Sequence, residues 1–121
     1  MAARRFPTEA QVSMQLALLL RRDPVLCCVP RTHVANEGDR PGVKQKMGCE
    51  PGAPDWTFWL PGSVTFNVEL KRPNATNYVT LSPEQQVFGM RLRHNGHLYE
   101  VHTNAVVVVE RLRELMKETK P

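Results

Sequence analysis

A chain of 121 residues, 41% hydrophobic and 23% charged, suits one globular domain over residues 1–121 with one core. No apolar run approaches the ~20 residues needed to cross a bilayer, which excludes a transmembrane segment. Pro7, Thr8, Glu9 and Gln11 break up any signal-like apolar region after Arg4 and Arg5, so a cytoplasmic location is expected; the net charge of +4 favours a polyanionic partner without proving one.

Residues 7–22 are expected to form a helix. Thr8 is its N-cap, Gln11 completes a capping box, and Val12, Leu16, Leu19 and Leu20 make one apolar stripe. Asp23-Pro24 stops it. Residues 25–29 are a short apolar run of strand length, ended by Pro30. The three cysteines, Cys27, Cys28 and Cys49, cannot all pair, and adjacent Cys27 and Cys28 are poorly placed to bridge each other, so free, partly buried thiols in a reducing compartment are expected. The four histidines show no zinc-site spacing.

Residues 35–53 carry Gly, Pro, Asn and charge, with at most one helical turn over 43–47, and suggest a long functional loop. Two strands follow, over 55–60 and 64–71, around Pro61-Gly62-Ser63. After a loop over 72–80, Ser82 caps a second helix with Pro83 at its first position, and Asn95-Gly96 ends it. Residues 97–103 suggest a fourth strand. Asn104 then caps a helix to about residue 117, although the β-branched run 106–109 is also compatible with a longer strand. The order α-β-(loop)-β-β-α-β-α describes a mixed α/β domain, a central four-stranded sheet flanked by helices.

The chemistry gathers on the hairpin. Val64, Phe66, Val68 and Leu70 alternate with polar residues, so Glu69 and Lys71 share the face away from the core. If Pro61-Gly62-Ser63 forms a three-residue loop, Leu60 faces Val64 and Asp55 falls opposite Glu69; an even-length loop would send Glu69 to the other face. Opposed acids repel unless a cation lies between them, and hard oxygen donors favour magnesium or manganese. With Lys71 beside the pair, the arrangement suits metal-assisted hydrolysis of a phosphodiester. The alternative is a solvated strand face with an ordinary Glu-Lys pair.

Gly52-Ala53-Pro54-Asp55, Glu69-Leu70-Lys71 and Leu81-Ser82-Pro83-Glu84-Gln85 together resemble the PD-(D/E)XK nuclease superfamily. Within it, the chain is similar to the short stand-alone phage and bacterial form of the virus-type replication-repair nuclease (VRR-Nuc) domain. His33-Val34-Ala35-Asn36, Gly38, Arg40 and Lys46-Met47-Gly48 fit the same resemblance, which covers almost the whole chain. It implies a restriction-endonuclease-like core of order αβββαβ(α), in a bacterial or phage-infected cell. It also implies DNA hydrolysis with Mg2+ or Mn2+, with Asp55 and Glu69 as metal ligands, the Leu70 carbonyl as a further ligand, and Lys71 as the catalytic lysine. Gln85 matches the motif glutamine near the active site, or else merely closes a capping box with Ser82. Glu9 matches the acid of the first helix, or else is a first-turn acid favoured by the helix dipole. Trp56 stands where an aliphatic residue is commoner.

Arg40, Lys44, Lys46 and Arg72 are candidate phosphate contacts, with plain solvation as the alternative; Glu37 and Asp39 complicate a DNA clamp in that loop. The functions to be separated are a structure-selective endonuclease acting on branched or junction DNA as a homodimer, a sequence-specific restriction-type nuclease, and a noncatalytic DNA-binding module.

Overall fold

The computed structural model describes residues 6–34, 51–73 and 81–119. Helix α1 (Glu9–Arg22) starts in a capping box: the Thr8 hydroxyl accepts from the Gln11 N–H, and the Gln11 side chain accepts from the Thr8 N–H. Strands β1 (Arg31–His33), β2 (Trp56–Leu60) and β3 (Val64–Leu70) pair antiparallel in sequence order. Helix α2 (Pro83–His94) then crosses over so that β4 (Leu98–His102) lies parallel to β3. Helix α3 (Ala105–Glu118) packs along α1. The result is a four-stranded mixed sheet, ordered β1-β2-β3-β4, with helices flanking it.

The hairpin closes as its sequence suggests. Pro61-Gly62-Ser63 forms the turn, Leu60 faces Val64, and the ladder runs back to Trp56 facing Val68. Phe58, Leu60, Phe66, Val68 and Leu70 therefore enter one core with Val12, Leu16 and Leu20 of α1 and Val108, Leu112 and Leu115 of α3. The run 106–109 is helical because the Asn104 side chain accepts from the N–H groups of Val106 and Val107.

Residues 25–29 do not form the expected strand. The Asp23 carboxylate accepts from the N–H groups of Val25 and Leu26, both at 2.9 Å, and winds the chain into a 3-10 turn at Leu26–Cys28. Arg113 of α3 fixes that carboxylate at 2.6 Å, tying the end of α1 to α3. The first strand is displaced to Arg31–His33. Cys27 and Cys28 are exposed rather than partly buried, since the turn points both side chains outward.

The second sheet face is covered as well. Helix α2 lies against β4, and its Gly89 comes so close to Tyr99 that a Cβ there would sit 2.7 Å from the ring. Asn67 is buried beneath this cover with its amide satisfied by Thr57, Thr65 and the Leu98 carbonyl. No helix among the described residues is long and apolar enough to cross a membrane. The expected helical turn over 43–47 lies outside the described residues.

Candidate active site

Asp55 is the first residue before β2, one step beyond the Trp56–Val68 pair, and so stands across from Glu69 near the end of β3. The Leu70 N–H donates to Asp55 Oδ2 at 2.6 Å, drawing the aspartate over the strand that carries the glutamate. The two carboxyl groups are close enough to hydrogen-bond through a proton on one of them. With Glu9, Ala10, Ser13, His33, Val34, Leu70, Lys71 and Gln85, they line a cleft of about 230 Å³.

Glu69 is 2% exposed, because α2 covers the face that a simple alternation assigns to solvent. Removing a carboxylate from water disfavours its charge, and the neighbouring Asp55 charge adds to the penalty. Together these push the Glu69 carboxyl up to about 8, against the opposing effect of Lys71. Burial also raises Asp55, countered in part by the Leu70 N–H. Glu9 makes both acids harder to ionise from its place on α1, at the rim of the same cleft.

Gln85 joins the remaining groups. Its Nε2 donates to Glu69 Oε1 at 2.8 Å, and its Oε1 accepts from Lys71 Nζ at 3.0 Å. The same Oε1 accepts from the Ser82 N–H at 2.9 Å, while the Ser82 hydroxyl accepts from the Gln85 N–H. The capping box and the contact with Glu69 are therefore made by one side chain. Gly52 lets this happen: a Cβ there would lie 2.4 Å from the Glu84 carbonyl group, so only glycine admits the first turn of α2 against the segment leading to Asp55. Phe88 and Leu92, one and two turns on from Gln85, line a separate groove of about 880 Å³ together with Pro51 and His97.

The Lys71 amine lies 3.9 Å from Glu69 Oε1 and 20% of its side chain is exposed, so it reaches both the buried acid and the open cleft. Arg72 is exposed beside it. Arg40, Lys44 and Lys46 lie outside the described residues. Exposed Arg93 packs its guanidinium 5.6 Å over the Tyr99 ring and donates to the Tyr99 carbonyl.

Sequence reasoning leaves three residues of this region without a role. Ser13 follows Glu9 by one helical turn, a spacing that puts both on one face. His33 belongs to a motif whose chemistry only the pairing of β1 with β2 reveals. Tyr99 is buried with its hydroxyl unpartnered among the described residues, and burial, with the Glu69 and Asp55 charges behind it, pushes it up to about 12.

The donor set fits a hard divalent cation. Glu69 Oε2 is buried and accepts from no donor among the described residues; facing Asp55, it is satisfied either by a proton shared between the two acids or by a cation that replaces that proton. Among those residues no three His, Cys, Asp or Glu side chains enclose a metal by themselves. A cation held by two acids would fill its shell with main-chain carbonyl, water or phosphate oxygen, as magnesium does in phosphoryl-transfer sites.

The mixed four-stranded sheet with its flanking helices is a nuclease-like α/β fold. More narrowly, the fold is that of the VRR-Nuc domain: a solved structure described as "VRR_NUC domain protein" superimposes with a TM-score of 0.72, covering 93% of this chain and 91% of that one at 16% identity. No family model matches the chain, and no curated protein matches it in sequence.

Proposed function

We propose that the protein is a magnesium- or manganese-dependent DNA endonuclease in which Asp55 and Glu69 hold the metal and Lys71 is the catalytic amine. The carrying observation is the buried acid pair with one orphaned oxygen, Glu69 Oε2, beside an amine held by Gln85. When bound, a divalent ion supplies Lewis acidity to a phosphoryl oxygen and acidifies water. Asp55 is aimed by the Leu70 N–H and Glu69 by Gln85. Leu70 lines the cleft, and its carbonyl is the additional oxygen donor on this reading. Lys71 has spent one N–H on Gln85; its others orient the attacking water and offset charge growing on the phosphate in the transition state. Glu9 at the rim attracts further cations and repels phosphate, so the scissile group enters from the Lys71 side.

The substrate on this reading is branched DNA, cut by a two-fold dimer that nicks both strands of a junction; Arg72, Arg40, Lys44 and Lys46 contact its backbone. The support is the motif resemblance together with the shared fold. The test compares wild type with Asp55→Ala and Lys71→Ala on flap, four-way-junction and duplex DNA in magnesium. Asp55→Ala should abolish cutting, and Lys71→Ala should lower it by about a hundredfold or more, both with DNA binding largely kept. Unchanged cutting by Asp55→Ala refutes the assignment. The absence of nicking by wild type at any magnesium concentration would favour a noncatalytic DNA-binding module.

A further inference from the structure

Asp55 is placed where the sheet no longer holds it. The β1–β2 ladder ends at His33 facing Trp56, and the β2–β3 ladder ends at Trp56 facing Val68, so Asp55 lies one residue outside both. Its carbonyl is nonetheless held from the β1 side by two contacts, the Val34 N–H at 2.8 Å and His33 Nδ1 at 2.8 Å. A carbonyl can only accept, so Nδ1 carries the proton in this contact.

The rest of the ring is fixed by a chain of consistent polarity. Trp56 Nε1 donates to Ser13 Oγ at 3.0 Å, which leaves the hydroxyl proton free for His33 Nε2 at 3.4 Å. The imidazole stacks on the Trp56 indole, centroids 4.7 Å apart and planes inclined by 28°. Ser13 sits one turn after Glu9, so the contacts that fix the ring also fix how α1 meets the acid pair.

We infer that His33, gripped between Trp56 and Ser13, is a positioning residue that sets the Asp55 backbone, and through it the reach of the Asp55 carboxylate to the Leu70 N–H and the metal. This deepens the nuclease reading and rests on it for its functional meaning. The ring is exposed on its outer side, so replacing it opens no cavity and the fold survives.

The experiment first reads Asp55 with no metal present. The Leu70 amide is bonded to Asp55 Oδ2, so its hydrogen exchange reports whether that carboxylate is in place. In metal-free His33→Ala the Leu70 amide should exchange about fivefold faster or more, with the Val68 amide unchanged. His33→Asn, whose side-chain amide restores a donor near Nδ1, should recover most of the protection. Mn2+ titrated alone, followed by its electron paramagnetic resonance, should bind His33→Ala about fivefold more weakly, again with recovery in His33→Asn. An unaltered Leu70 amide in His33→Ala overturns the inference, even where DNA cleavage falls, since the loss would then belong to a substrate contact. Parallel acceleration at Leu70 and Val68 overturns it too, as general loosening of the sheet. Wild type that takes up no Mn2+ would defeat the nuclease reading, while the amide comparison still decides what His33 does.

Discussion

Glu69 offers a test in which sign and size both follow from its surroundings. Its carboxyl lies at about 8 in the folded chain because it is buried and faces Asp55, whereas in the unfolded chain it returns to its ordinary value of 4.5. The folded state therefore keeps a proton that the unfolded state gives up as pH rises between those values. The stability associated with that proton is fully present below the unfolded value and is lost as pH climbs toward about 8, at no more than about 1.4 kcal/mol per pH unit. Asp23 does not interfere: the Leu26 N–H and Arg113 hold it below the usual carboxylate range, so its contribution fades only at more acid pH. The perturbation is Glu69→Gln, which removes the titration but preserves the shape. The assay is urea unfolding in a chelator at steps from about pH 5.5 to about pH 7.5, where wild type should lose roughly 2 kcal/mol relative to the variant. Under magnesium the cation takes the place of the proton, so apparent metal affinity of wild type should rise with pH over the same window. A metal-free difference that stays flat, or that grows in favour of wild type as pH rises, would show that Glu69 is already ionised at neutral pH and would refute the reasoning.

The double duty of Gln85 separates two variants. Gln85→Ala should lose about 1 kcal/mol of stability with the cap, and cut DNA about ten- to a hundredfold more slowly because Glu69 and Lys71 lose their shared partner. Ser82→Ala should lose comparable stability yet cut within a few-fold of wild type; melting temperatures and plasmid nicking report both, and equal cutting by the two variants would remove Gln85 from the site. Gly89→Ala should destabilise the protein by about 1–3 kcal/mol as the new methyl meets the Tyr99 ring, outweighing the helix propensity of alanine. Tyr99→Leu in the same chain should recover most of that loss in a urea double-mutant cycle, whereas a stabilising Gly89→Ala would mean that α2 does not lie so close.

Local chemistry explains why some of this arrangement was legible in the sequence. The hairpin register depends on one three-residue turn and on alternation, both local, so the opposition of Asp55 and Glu69 follows from residues 55–71 alone. Thr8, Ser82 and Asn104 act on N–H groups two or three residues away, and the starts of the helices are readable for the same reason. The turn at Leu26–Cys28 is different. Asp23 adopts its geometry with the help of Arg113, 90 residues distant, and an apolar run gives no sign of that. The burial of Glu69 was equally hidden, since it needs α2 to close over the sheet, which Gly89 and Tyr99 permit from opposite elements. The meeting of Ser13 and His33 rests on the docking of α1, a tertiary fact with no local signature.

The cover provided by α2 bears on why the site is built as it is. A buried pair of acids is poorer for stability than an apolar pair of the same shape, and one whose oxygens are incompletely bonded is poorer still. The fold answers part of this deficit with the Leu70 N–H on Asp55, the Gln85 amide on Glu69 Oε1 and the Lys71 charge 3.9 Å from that oxygen, yet no donor among the described residues reaches Glu69 Oε2. Had the arrangement served packing alone, an apolar residue at position 69 would have extended the core without penalty. A buried, aimed acid pair gains more from a cation than the same acids would in water, because the low-dielectric cover strengthens the attraction and what the cation displaces is the proton that Glu69 keeps up to about 8. Helix α2 therefore does two things with one surface. It excludes water from Glu69, which raises the cost of the empty charge, and it contributes Gln85, which fixes where that charge points.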